Sequence, residues 1–118
     1  MSTANPRVPG ISLEDNLKKA LTELLLLRLL CRREYYIGEL TATLNEESGG
    51  VLSIVFPYSA VYRLQKAGLI AESDKRTAPD GRRRQYYGIT DEGRAHCQML
   101  LEIYRRFSTG IDTVLAFE

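Results

Sequence analysis

Three consecutive arginines, Arg82, Arg83 and Arg84, follow directly on the turn signal Pro79-Asp80-Gly81. A guanidinium group is a planar fork of hydrogen-bond donors and matches the oxygens of a phosphate. Lys75 and Arg76 lie just before the turn, so five cations converge on one hairpin tip. Clustered cations are poor core material, and the chemistry they offer is the grip of a nucleic-acid backbone. A second donor set stands upstream in Tyr58, Ser59, Tyr62 and Arg63. The hydroxyls of Tyr58 and Ser59 suit phosphate oxygens, and Arg63 can donate two bonds to guanine or to phosphate. Strand alternation sends Arg82 and Arg84 to one face of the hairpin and Arg83 to the other. The same alternation separates Tyr86 from Tyr87, one toward the core and one beside the nucleic acid.

Other chemistries find no support. Cys31 and Cys97 have neither disulfide-framework nor metal-site spacing, and read as small apolar residues buried in helices. His96, the single histidine, falls in a polar helical stretch and reads as exposed. There is no Ser/His/Asp or Cys/His pairing in context and no glycine-rich phosphate loop. The expectation is no enzyme, no metal and no cofactor.

Composition sets where the basic surface must lie. The 118 residues suit one domain with one modest core, with 44% hydrophobic and 26% charged residues. Net charge is only +1, so any nucleic-acid surface rests on local clustering. Acidic residues sit mostly elsewhere, at Glu14-Asp15, Glu46-Glu47 and Asp91-Glu92. Met1 to Gly10 lacks a signal-peptide core, and the apolar run Leu24–Leu27 is too short to cross a membrane. These features predict a cytoplasmic protein with no membrane partner.

The elements that must position these residues can be traced along the chain. Residues 1–11 read as a flexible arm, with Ser12 as N-cap of a first helix. From Leu13, leucines at 17, 21, 24, 25 and 29 keep helical spacing, and Leu26, Leu27 and Leu30 widen the stripe. A helix apolar nearly all round needs burial on more than one side, which points to a second protomer. A second helix runs from about Tyr36 to Glu47 and stops at Ser48-Gly49-Gly50. Val51–Ile54 is a short strand or an extended link. Pro57 opens a third helix, with Ala60, Val61, Leu64 and Ala67 inward, ending at Gly68. Leu69–Arg76 and Gln85–Ile89 form a hairpin, with Leu69 and Ala71 opposite Ile70 and Glu72. Thr90 caps a last helix whose seam is Leu100, Ile103, Tyr104, Phe107, Ile111 and Val114.

Three helices followed by a hairpin is the order of a winged helix-turn-helix. The fold expected is mainly α with a small β-hairpin. Residues 12–89 would form the DNA-binding domain and residues 90–118 a C-terminal dimerisation helix. Leu17, Leu21 and Leu24 of the first helix would join that dimer contact.

The run Ser53–Ile70 followed by Gly81–Gly93 resembles the PadR family of bacterial transcriptional regulators. The matching positions are Ser53, Tyr58, Leu64, Gly68, Leu69 and Ile70, then Gly81, Arg83, Arg84, Tyr86, Tyr87, Thr90 and Gly93. The resemblance spans about Leu13 to Leu115, and the single short C-terminal helix is similar to the compact subfamily. It implies a homodimeric repressor on double-stranded DNA, with Ser53 at the DNA surface, and a small-molecule inducer between C-terminal helices beside Tyr104. The chain departs from the family pattern in three places. Ile37-Gly38 stands where a Gly-Tyr pair is usual, Val55-Phe56-Pro57 is more apolar than the usual Pro-Gly-Thr, and there is no Trp. Two alternatives stay open: a winged helix used for protein–protein contact, and a ligand-binding protein that no longer binds DNA.

Overall fold

The computed structural model describes residues 9–54 and 57–116. Helix α1 (Pro9–Leu30), strand β1 (Tyr35–Tyr36), helices α2 (Ile37–Glu47) and α3 (Pro57–Lys66), strands β2 (Ile70–Thr77) and β3 (Arg83–Ile89), and helix α4 (Asp91–Leu115) follow in order. This is the winged helix-turn-helix with an added C-terminal helix, plus one strand that the sequence does not announce. Strand β1 pairs antiparallel with β3, Tyr35 opposite Tyr87 and Tyr36 opposite Tyr86. The sheet order is β1-β3-β2, which makes β3 its central strand.

Helix α1 is described from Pro9 onward, so Ser12 lies inside the helix and does not cap it. Proline costs little in a first turn, where its missing N–H has no partner in any case. Of the expected arm, residues 1–8 lie outside the described residues. The two halves of α1 have different surroundings. Leu24, Leu26, Leu27, Leu29 and Leu30 are buried, Leu26 and Leu27 completely, in a helix against which α2, α3, β3 and α4 all pack. The all-round leucine pattern is therefore mostly satisfied within the chain. Leu24, expected at a partner surface, is spent on the chain's own core and Leu21 is half-buried, while Leu17 stays exposed.

Leu40 and Leu44 of α2 and Ala60, Val61 and Leu64 of α3 complete the helical core. Gly49 and Gly50 end α2 at φ of +66° and +87°, the left-handed geometry that a side chain would resist. Val51–Ile54 is a link without strand pairing. The apolar entry Val55-Phe56 lies outside the described residues. Ala67 is exposed in the turn beyond α3 and does not point inward as expected.

Strand β2 contributes Ile70 to the core and is otherwise exposed or half-exposed, Leu69 lying just before it. The expected alternation lapses because the pairing slips between Glu72 and Lys75 and the hairpin leaves the body there. Thr90 caps α4 as expected: its Oγ1 accepts from the Gly93 N–H at 3.0 Å. The Thr90 N–H also donates to the Leu69 carbonyl at 3.1 Å, which fastens α4 to the start of β2.

Cys97 is buried in α4 beside Cys31, which is half-buried just past α1, and both are free thiols. Burial first, then Cys31, pushes the Cys97 thiol up to about 11. The raised value means that folding holds this proton. The resulting stability is complete below the ordinary value of 9.0 and is lost as pH rises toward 11. His96 is half-buried, not exposed, with Nε2 3.5 Å from Glu23 Oε1 on α1.

Candidate nucleic-acid interface

The wing grows from an aromatic stem. Tyr86 and Tyr87 are both buried, 6% and 9% exposed, against the expectation that one would face nucleic acid. The cause is β1: Tyr35 enters the core on the Tyr87 side, and Tyr36 covers Tyr86 edge-on at 5.6 Å between ring centroids. Burial pushes the Tyr87 hydroxyl up, with Glu72 and Tyr58 adding to the effect.

Two of the five expected wing cations are built into this stem. Arg76 and Arg84 face each other across β2 and β3. The Arg76 guanidinium lies 4.0 Å over the Tyr86 ring, bonds Asp74 at 2.8 Å and pairs with Glu34. The Arg84 guanidinium lies 5.1 Å from the Tyr36 ring centroid and bonds Asp80 at 2.6 Å. Hydrogen bonds from Arg84, then from the Arg82 backbone N–H, hold the Asp80 carboxyl below its ordinary value. Arg76 does the same for Asp74. A depressed carboxyl keeps its pair above the ordinary carboxylate range and loses it as pH falls through that range.

The remaining wing cations are free. Lys75, Arg82 and Arg83 are exposed and make no ion pair among the described residues. Arg82 sits in the turn itself, where its N–H donates to Asp80 Oδ1 at 2.9 Å and its carbonyl accepts from the Ala78 N–H at 2.8 Å. The triplet therefore divides by partner: Arg84 is tied down, while Arg82 and Arg83 present unpaired charge at the tip. Register places Arg83 and Lys75 on the sheet face that carries Tyr87.

Helix α3 presents two flanks. Tyr58 and Tyr62, one turn apart, are 72% and 60% exposed. Tyr58 lies within electrostatic reach of Arg84 and Tyr87, so this flank faces the wing. Lys66 reaches back to the Tyr62 hydroxyl at 3.5 Å. Ser59 and Arg63 lie on the other flank and line a cleft shared with α1. Ser53 belongs to that side too, its hydroxyl accepting from Lys18 Nζ at 3.3 Å. The exposed members of the expected DNA set thus lie around α3, with the wing tip on one side and α1 on the other, while Arg76 and Arg84 are tied into the wing stem. Lys18, Lys19 and Lys66 also fall on or beside it and are absent from the expected set. The adjacent Lys18-Lys19 pair was visible in the sequence, in a helix whose leucines dominate its reading.

The expected dimer seam is open. Ile103, Tyr104, Phe107, Ile111 and Val114 are between 39% and 73% exposed, and Leu100 is half-buried against the core. With Leu17 and Leu21 of α1, all of these but Val114 line a groove of about 500 Å³. Among the described residues there is no group of three metal-ligating side chains, and no helix is long and apolar enough to cross a membrane.

Comparison with known proteins agrees with this geometry. The model of the transcriptional regulator PadR-like family matches residues 26–99. A PadR-like transcriptional regulator from Bacillus cereus is 27% identical, covers 87% of this chain and 99% of its own, and superposes with a TM-score of 0.76. A transcriptional regulator from Streptococcus is 26% identical over 83% of this chain and 95% of its own, with a TM-score of 0.72. A PadR family transcriptional regulator from Eggerthella lenta shares the fold, at 23% identity over 91% and 92% of the two chains and a TM-score of 0.73. No curated relative matches the sequence. These similar proteins are regulators of transcription.

Proposed function

The chain belongs to the PadR-like family of transcriptional regulators, and from that premise we propose that it is a repressor binding a palindromic operator as a homodimer. Each protomer sets α3 in a major groove and lays its wing along the neighbouring backbone. The observation that carries this reading is the pairing of free wing-tip cations, Lys75, Arg82 and Arg83, with the exposed Tyr58–Arg63 surface of α3. Base contacts fall to Tyr58, Tyr62 and Arg63, and phosphate contacts to Ser53, Ser59 and the wing. Arg76 and Arg84 hold the wing in shape through Asp74, Glu34 and Asp80. Two copies joined through α4 and Leu17 would present two recognition helices, with half-sites one helical turn apart or a multiple of it.

A mobility shift with promoter DNA from beside its own gene tests the reading. Each phosphate contact adds about 0.9 to the log–log salt slope. Arg82→Ala with Arg83→Ala therefore lowers the slope by about 1.8 per protomer. Arg84→Ala loosens the wing and leaves the slope nearly unchanged. An unchanged slope in the Arg82/Arg83 variant removes the wing from the interface. No retardation at low salt favours the use of this winged helix for protein contact.

The groove between α1 and α4 supports an inducer site. Its volume of about 500 Å³ suits a small molecule, and Tyr104 and Phe107 supply aromatic walls. A planar aromatic cation is expected to raise the thermal midpoint and to release the retarded DNA. Neither effect at saturating concentration counts against an inducer in this groove.

A further inference from the structure

The wing accounts for one flank of α3. The other flank borders a cleft of about 570 Å³, lined by Asp15, Lys18 and Lys19 of α1 and by Ser53, Ser59 and Arg63. Three cations and three hydroxyls, that of Thr22 included, meet there against one carboxylate. Lys18, Lys19 and Arg63 form no ion pair among the described residues, whereas Arg32, Arg33, Arg76 and Arg84 are each matched to a carboxylate. In a chain of net charge +1, a local excess of unpaired cations beside hydroxyl donors suits an anion.

The geometry of a duplex identifies that anion. A helix lying in a major groove about 12 Å wide has a phosphate backbone on each side. Tyr58 lies near Arg84 and Tyr87 of the wing, so the wing meets one backbone. Ser59 and Arg63, turned by about 100° around the helix, face α1. The opposite backbone must then pass the mouth of the α1–α3 cleft.

We propose that this cleft is a second DNA-phosphate seat, in which Lys18 and Lys19 of α1 grip the backbone strand on the side of α3 away from the wing. Lys18 has a further part, since its ammonium bonds Ser53 in the link that leads into α3. It fixes the approach of the recognition helix while charging the seat. Asp15 sets an upper bound on the attraction by opposing one of the three cations. This inference rests on the DNA-binding reading above and adds to it a named second contact.

The test measures salt dependence of DNA retardation for the full chain and its variants. Lys18→Gln with Lys19→Gln is expected to lower the log–log slope by about 0.9 per protomer and to weaken binding equally for operator and unrelated DNA. Lys18→Arg with Lys19→Arg restores slope and affinity. Lys19→Gln alone, at an exposed position, moves the slope in the same direction with the thermal midpoint unchanged. If the parent is retarded and the Gln variants keep its slope, the seat is wrong and the DNA-binding reading stands. If the Gln pair weakens binding and the Arg pair does not restore it, the lysines act through structure and the seat is again wrong. If the parent itself is not retarded at low salt, both readings fall.

Discussion

Gly93→Ala is expected to be among the most damaging single changes in this chain, lowering stability by about 3 kcal/mol. A Cβ at this position would stand 2.0 Å from the Leu69 carbonyl oxygen and 2.7 Å from Ile89 Cγ1. The nearer obstacle is backbone and cannot turn aside. That carbonyl also accepts the Thr90 N–H, so relieving the clash pulls apart the junction between β2 and α4. The melting midpoint should fall by on the order of 10 °C. Gly110→Ala is the matched control in the same helix. Nothing lies within 4 Å of its Cβ, and the gain in helix propensity of about 1 kcal/mol goes unopposed. Thermal denaturation of the two variants checks both signs. A Gly93→Ala protein that melts with the parent removes the close approach of α4 to β2.

Phe107→Glu with Ile111→Glu is expected to leave each chain folded and to abolish tight operator binding. These side chains are 60% and 53% exposed, so the core loses nothing when they become charged. A joined pair of protomers would lose a great deal, because four carboxylates would meet at one apolar seam. Linking two DNA-binding units adds 10²–10⁴-fold in affinity through effective concentration alone, and roughly that factor should disappear. Sedimentation shows the shift to monomer, and circular dichroism shows that the helices persist. A variant that stays dimeric removes α4 from the interface. One that becomes monomeric yet binds the operator like the parent removes the need for a dimer.

The parts of the fold that the sequence announces are those governed by local rules. Thr90 caps α4 and glycines stop α2, because each depends on neighbours within a few residues. Strand β1 was silent: two residues carry no alternation, and their partners lie about fifty positions away. Strand alternation alone leaves Tyr86 open to solvent, and only β1 brings Tyr36 over it. The fate of each wing arginine was hidden for the same reason. Asp80 is close in sequence to Arg84, yet Glu34 reaches Arg76 only through the fold. The site was therefore legible as a cluster of charge, and its division into free and neutralised cations was not. The leucines of α1 likewise suggested a partner surface over their whole length. Only the helix's passage through the middle of the domain shows that its second half is already covered.

The short strand β1 also has a mechanical consequence. It braces β3 only at Tyr86 and Tyr87, so the hairpin beyond them is a cantilever clamped at its root. The free span from Gln85 to the turn is about 15 Å at the rise of an extended chain. The irregular pairing between Glu72 and Lys75 falls at that root, where added twist and a local break in the ladder make bending easiest. Such a lever deflects at its end while its base stays still. In the proposed complex Arg82 and Arg83 would then follow a backbone whose groove width changes with base sequence, while Tyr58 to Arg63 would hold their register on the duplex.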